Sequence, residues 1–245
     1  TTIAGGTITD LNLTSAGAID DSGPVSVSGT ATLTASGPAD ITLDDGSHDF
    51  GTVVISTGQN VTLVDANAIV LGGSTVSGTL DVTAAGGNIT QGGAVDAGVT
   101  TLDAGANNIT LNEANTFGAL TVSGGVVQIT ENDVITDGGA WSTTGATTLD
   151  ASGNNITLDV ATSTTGALDL TGGAATVDRD GAIDVVGGSV TTLNLTSGVG
   201  ISDSGTITVS GGLTATGDTN GAGITLDQID VTGGTVSLNT TDSAA

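Results

Sequence analysis

The chain repeats itself. Residues 100–112, TTLDAGANNITLN, return almost unchanged at 147–159 as TTLDASGNNITLD. Residues 11–29, LNLTSAGAIDDSGPVSVSG, return without a gap at 193–211 as LNLTSGVGISDSGTITVSG. Recurrence on this scale constrains the fold more than any single motif does. A repeat of a few tens of residues is one supersecondary unit that cannot bury its apolar face alone, so it must stack on its neighbours.

Inside the repeats, apolar residues alternate with polar ones in triplets such as I-T-L, set off by Gly, Asn or Asp. A period of two reads as short strands, and no stretch carries a helical period. The triplets sort into three columns. The first runs Leu11/Leu13, Leu33, Val53/Ile55, Leu80/Val82, Leu102, Leu120/Val122, Leu149, Leu168/Leu170, Leu193/Leu195. The second runs Ile19, Ile41/Leu43, Val61/Leu63, Ile89, Ile109/Leu111, Val127/Ile129, Ile156/Leu158, Ala175/Val177, Ile201, Ile224/Leu226 and Val236/Leu238. The third, looser, includes Val25/Val27, Phe50, Ile69/Leu71, Val95 and Phe117. Three strands per turn predict an all-β chain: a right-handed parallel β-helix, or solenoid, of about eleven three-strand coils of about 22 residues. Residues 1–245 then form a single β-helical array. Three coils, 53–79, 120–147 and 168–192, carry an enlarged third section. Those sections are expected to protrude and to supply lateral contacts. Pro24 and Pro38 are expected at corners or strand starts, because proline cannot donate to a ladder.

The ends fit the same register. VSLNTTDSAA at 236–245 matches VTLVDANAIV at 61–70, and TTIAGGTITDL at 1–11 matches the tail of an enlarged coil at 70–80. The expectation is one unit of a longer array, open at both ends, or a protomer that stacks head to tail. The chain begins without a methionine or an apolar leader, which fits a piece of a larger precursor.

Composition narrows the function. The net charge is −25, with Arg179 the single basic residue, which argues against nucleic acid or an anionic membrane as partner. Cysteine is absent, so no disulfide framework exists. Phe50, Phe117 and Trp141 are the only aromatic residues, which suits a narrow core of small β-formers.

The runs LDVTAAGGNITQGGAVDAGVTTLDAGANNITLNEANTFGALTVSGG at 80–125 and NVTLVDANAIVLGGSTVSGTLDVTAAG at 60–86 resemble the repeat region of filamentous-haemagglutinin-like giant surface proteins (adhesins) of Gram-negative bacteria. The resemblance implies a β-helical stalk, exported and displayed at the cell surface, that serves adhesion, aggregation or a fibre. It implies no active-site residue, since the repeat region of that family has none.

Asn107, Asn108, Asn154 and Asn155 precede strands and read as turn residues. Phe50 and Phe117 read as equivalent corner plugs. Trp141 sits in an enlarged section, either packed beneath it or exposed as a contact point. Asp178, Asp180 and Asp184 surround Arg179 and Gly181; D-x-D-G resembles the opening of a calcium loop, but the closing glutamate is missing. Ca²⁺ is the one metal these residues could hold, against a local salt bridge in a solvated turn. The pairs Asp20/Asp21 and Asp44/Asp45 are weaker candidates of the same kind. His48 reads as a solvent-exposed turn residue.

Three function classes compete. A structural, non-enzymatic filament segment that stacks on itself end to end, with lateral contacts to other filaments or cell-surface glycans, follows from uniform repeats. A polysaccharide-cleaving enzyme needs paired carboxylates in a cleft, and only the Arg179 cluster offers them. An ice- or mineral-binding face needs one side-chain type in a flat array, whereas Asn12, Thr32, Val54, Asp81 and Thr101 are mixed. The inward placement of the first column is testable: Leu102→Asp puts an unpaired charge into a dry core. Its thermal melting point is expected well below that of the parent, and an unchanged melt would refute the inward assignment.

Overall fold

The computed structural model describes residues 1–218 and 223–241. Every regular element among them is a strand, and the chain is a right-handed parallel β-helix. No helix long and apolar enough to cross a membrane occurs among the described residues. Two compact units are present, Thr1–Gly125 and Val126–Ala245.

In the first unit the strands Ile19–Asp21, Ile41–Leu43, Val61–Asp65, Leu80–Ala84, Thr100–Asp103 and Leu120–Gly124 stack in parallel on one face. Leu43, Leu63, Val82, Leu102 and Val122 lie directly on one another, each no more than 1% exposed. Such a column arises because β-residues alternate faces, so one inward residue per strand meets its counterpart a rung away. A second face stacks Leu13 on Leu33 on Ile55, then Val76 on Ala97 on Phe117. The third stacks Ile8 on Val27 on Phe50, then Ile69 on Ile89 on Ile109.

This register differs from the expected columns. Leu80–Ala84 does not stack on Val53/Ile55 but on Val61–Asp65, a segment assigned by sequence to the second column. The switch happens within residues 53–79. That stretch makes four strand passes: the end of Asp49–Thr57, then Val61–Asp65, Ile69–Leu71 and Ser74–Val76. Three passes close a coil, so the fourth advances every later segment of the first unit by one face. The second unit does the same in residues 168–192. There the tail of Ile183–Val190 returns onto Leu168–Thr171, with Leu170 opposite Gly188 and Thr171 opposite Ser189. Leu193 and Leu195 consequently stack on Ala175 and Val177, not on Leu168 and Leu170. The enlarged sections at 53–79 and 168–192 are therefore not protruding loops but extra strands of the wall. Ser74 shows why the extra strand is hard to see in sequence. It takes an inward position without being apolar, accepting the Ile55 N–H at 3.0 Å and donating to the Gly72 carbonyl at 2.8 Å.

Phe50 and Phe117 are both buried, as corner plugs should be, but the advance puts them on different faces, opposite Val27 and Ala97. Pro24 immediately precedes the strand Val25–Ala35, and Pro38 lies in the corner before Ile41–Leu43, as expected. Corners also need close main-chain approach. Gly78, Gly98 and Gly118 form a ladder of 2.9 Å N–H···O bonds, and a Cβ on Gly98 would run into the Gly78 carbonyl oxygen.

The strand reading of residues 74–76 makes opposite demands on adjacent side chains. Val76 is 3% exposed, whereas Thr75 faces solvent. Val76→Asp is expected to cost about 3 kcal/mol or more, and Thr75→Asp to stay within about 0.5 kcal/mol of the parent. Urea denaturation measures both; equal, small effects would restore the loop reading.

Candidate functional site: a polar corner in each repeat

Four strands carry a polar residue where the alternation calls for an inward aliphatic one. They read Ile19-Asp20-Asp21, Ile89-Thr90-Gln91, Ile135-Thr136-Asp137 and Ile201-Ser202-Asp203. Each is followed one rung on by an I-T-L strand, with Ile19 opposite Ile41, Ile89 opposite Ile109, Ile135 opposite Ile156 and Ile201 opposite Ile224. After I-T-L the chain turns away and its N–H groups lose their ladder partners. The polar residue of the previous coil accepts them. Asp21 takes Asp44 N–H at 3.0 Å, and Gln91 takes Glu113 N–H at 3.2 Å. Asp137 takes Asp159 and Val160 at 2.9 and 3.0 Å. Asp203 takes Asp227 and Gln228 at 3.0 and 2.6 Å. Asp137 is buried and its two bonds are part-buried, whereas Asp21, Gln91 and Asp203 are half-buried and their bonds lie at the exposed rim of the corner.

A second buried group in three of these corners reaches back the other way. His48 Nδ1 accepts Val25 N–H at 2.9 Å, Asn115 Oδ1 accepts Val95 N–H at 2.9 Å, and Ser163 Oγ accepts Trp141 N–H at 3.0 Å. His48 and Asn115 are fully buried and Ser163 nearly so. In the second corner the two devices meet: Gln91 Nε2 donates to Asn115 Oδ1 at 2.9 Å and Asn115 Nδ2 donates to Gln91 Oε1 at 3.1 Å. In the first, His48 Nε2 faces Asp21 Oδ1 at 3.3 Å, too oblique for a formed hydrogen bond.

A buried ionisable residue lies close to two of the corners. Asp65 is fully buried; its carboxylate accepts Phe50 N–H at 2.6 Å and Asn67 N–H at 2.7 Å. Burial pushes its pKa up, and those two bonds oppose the rise without cancelling it. Arg179 is 2% exposed. Its Nη1 donates to the Leu158, Asp178 and Val160 carbonyls at 2.9, 3.1 and 3.3 Å and faces Asp137 Oδ2 at 3.4 Å. Its Nε and Nη2 are buried without a hydrogen-bond partner. Burial lowers its pKa and Asp137 raises it.

The geometry revises several expectations. His48 is a core residue, not an exposed turn. Trp141 is 1% exposed and is not a contact point, because it lies just before the strand Ser142–Thr143 with its amide tied to Ser163. Arg179 turns inward to Asp137 and makes no solvated bridge to the carboxylates beside it. Asp180 is exposed, Asp178 is half-buried, and Asp184 accepts Ser204 and Ser202 hydroxyls at 2.7 and 3.3 Å. Among the described residues, no group of three or more His, Cys, Asp or Glu side chains comes together to hold a metal ion. Asn107 and Asn154 are turn residues, each closing onto an alanine carbonyl three residues back. The polar residue at an inward position before an I-T-L coil was the signal for the corners, visible four times in the sequence. In the first unit, a cleft of about 440 Å³ crosses three coils and is lined by Thr34, Ser36, Thr57, Thr75 and Ser77 hydroxyls, with no ionisable side chain.

The Asp137 corner separates charge from hydrogen bonding. Asp137→Leu strands two amides and the Arg179 guanidinium, for an expected cost of about 3–5 kcal/mol. Arg179→Met keeps both amide bonds and removes two unpartnered N–H groups; it is expected to be neutral or stabilising. Equilibrium denaturation of the two variants tests the ranking, and the reverse order would mean that Arg179 organises the corner.

No curated protein and no solved structure matches the chain. A family model described as Repeats of unknown function (DUF5649) matches residues 1–57, 58–120, 114–171 and 172–239. Each matched repeat contains one corner, centred on Asp21, Gln91, Asp137 and Asp203 in turn. With nearly its whole length matched, the chain belongs to the family of Repeats of unknown function (DUF5649).

Proposed function

We propose that this chain is a structural segment of an extracellular filament: a β-helical stalk on the surface of a Gram-negative-type bacterium, stacking end to end with neighbouring units. One observation carries the reading. The polar groups of the corners accept main-chain N–H groups of an adjacent coil, so each coil is built to hold the next. Tandem family repeats and the resemblance to filamentous-haemagglutinin-like adhesins support a long surface array. The role is mechanical and spacing, not enzymatic, and involves no cofactor, Ca²⁺ included. The strong negative charge keeps such stalks soluble. Lateral contacts with other filaments or with cell-surface glycans fit the outward hydroxyls, including those of the cleft.

A second reading, separate protomers that assemble non-covalently, uses the same coil-on-coil bonding. The mass of the native polypeptide under denaturing conditions distinguishes them. A mass far above 23.2 kDa is expected for a covalent stalk, and a mass near 23.2 kDa with filaments in the electron microscope for stacked protomers. A particle near that mass that forms no filament, or one shielded from protease added to intact cells, would sink the stalk proposal.

A further inference from the structure

The corner acceptors that reach back to the preceding coil are chemically unequal. Asn115 and Ser163 cannot change charge near neutral pH, whereas His48 can: histidine is the side chain that titrates between about pH 5 and 8. His48 is fully buried, and its bond from Val25 N–H requires a lone pair on Nδ1, so the proton of the neutral ring sits on Nε2, towards Asp21. A second proton must go to Nδ1, where it meets the Val25 N–H donor to donor. Flipping the ring does not help, because both nitrogens of an imidazolium are donors.

We propose that His48 is an acid-released latch between two coils of the first repeat, and that the equivalent corners at Asn115 and Ser163 are its pH-insensitive counterparts. The charged groups facing the ring are Asp21 from the preceding coil and Asp65 from the following one; Asp44, Asp45 and Asp49 flank it along its own coil. The Asp45 main-chain carbonyl accepts the His48 main-chain N–H at 3.0 Å, and Asp44 N–H occupies the Asp21 oxygen nearest the ring. The contact is held while His48 is neutral and is lost as pH falls. Asp65 works in the opposite sense. Its folded-state pKa is raised, so its ionised form costs stability above that pKa, and the cost is relieved as pH falls through it. A global melt mixes the two effects, so the readout must be local.

Amide exchange on the full chain, followed by NMR from pH 7.5 to 5 and corrected for intrinsic rates, supplies it. Val25 protection is expected to fall by up to about tenfold per pH unit once the ring titrates, while Val95 and Trp141 keep theirs. His48→Asn, which installs the acceptor used in the second corner, is expected to flatten the Val25 profile. Val25 protection that tracks Val95 and Trp141 throughout would overturn the latch. So would a His48→Asn chain that loses Val25 protection with acid as the native one does, since the carboxylates would then be responsible. Should that variant fail to fold, the comparison of the three amides in the native chain still decides.

Discussion

Closure of a coil by three strand passes is the constraint on which the rest depends. Each pass is hydrogen-bonded in parallel to the passes above and below, so a strand has no freedom to choose its own register. Its inward residues must meet those of its neighbours, and columns such as Leu43–Leu63–Val82–Leu102–Val122 result. Each buried aliphatic side chain contributes about 1.5–3 kcal/mol. Because coils touch mainly the next coil, these contributions accumulate along the stack. The same closure rule makes a fourth pass consequential: one short strand such as Ser74–Val76 moves every later segment of its unit to a new face.

The polar corners follow from that geometry. A coil that lengthens after I-T-L takes main-chain amides out of the ladder, and lone pairs on the neighbouring coil replace the lost acceptors. Asp21, Gln91, Asp137 and Asp203 answer that need from one coil away, and His48, Asn115 and Ser163 answer it from the other side. Carboxylate, amide, imidazole and hydroxyl all serve, because the requirement is a lone pair aimed at an N–H. Arg179 departs from this pattern, a donor with two N–H groups unpartnered, retained beside Asp137. Outside, the crowded carboxylates repel one another: Asp81 is held above the usual carboxylate range by partial burial and by Asp103 one rung away.

Family membership and fold agree on the scale of the repeat. The matched repeats hold one corner each, although their sequence spacing is uneven, with Gln91 and Asp137 closer together than the others. What recurs is a structural device; the intervening strands vary in number and length.

By itself the sequence determined that this chain is an all-β solenoid with an aliphatic interior, because a period of two repeated over short runs has no other way to bury its apolar residues. Inward positions such as Leu102, the corner prolines and the turn asparagines were legible for the same local reason. Face assignment was not. Ser74–Val76 and the tail of Ile183–Val190 hold few apolar residues, and only their partners across the coil identify them as strands. The environments of His48, Trp141 and Arg179 were equally closed to sequence reasoning. Their residue types suit a surface turn or a contact point, and only the stacking of a neighbouring coil carries them inside. Local alternation decides what a strand is; the coil next to it decides where that strand lies and what its polar residues must do.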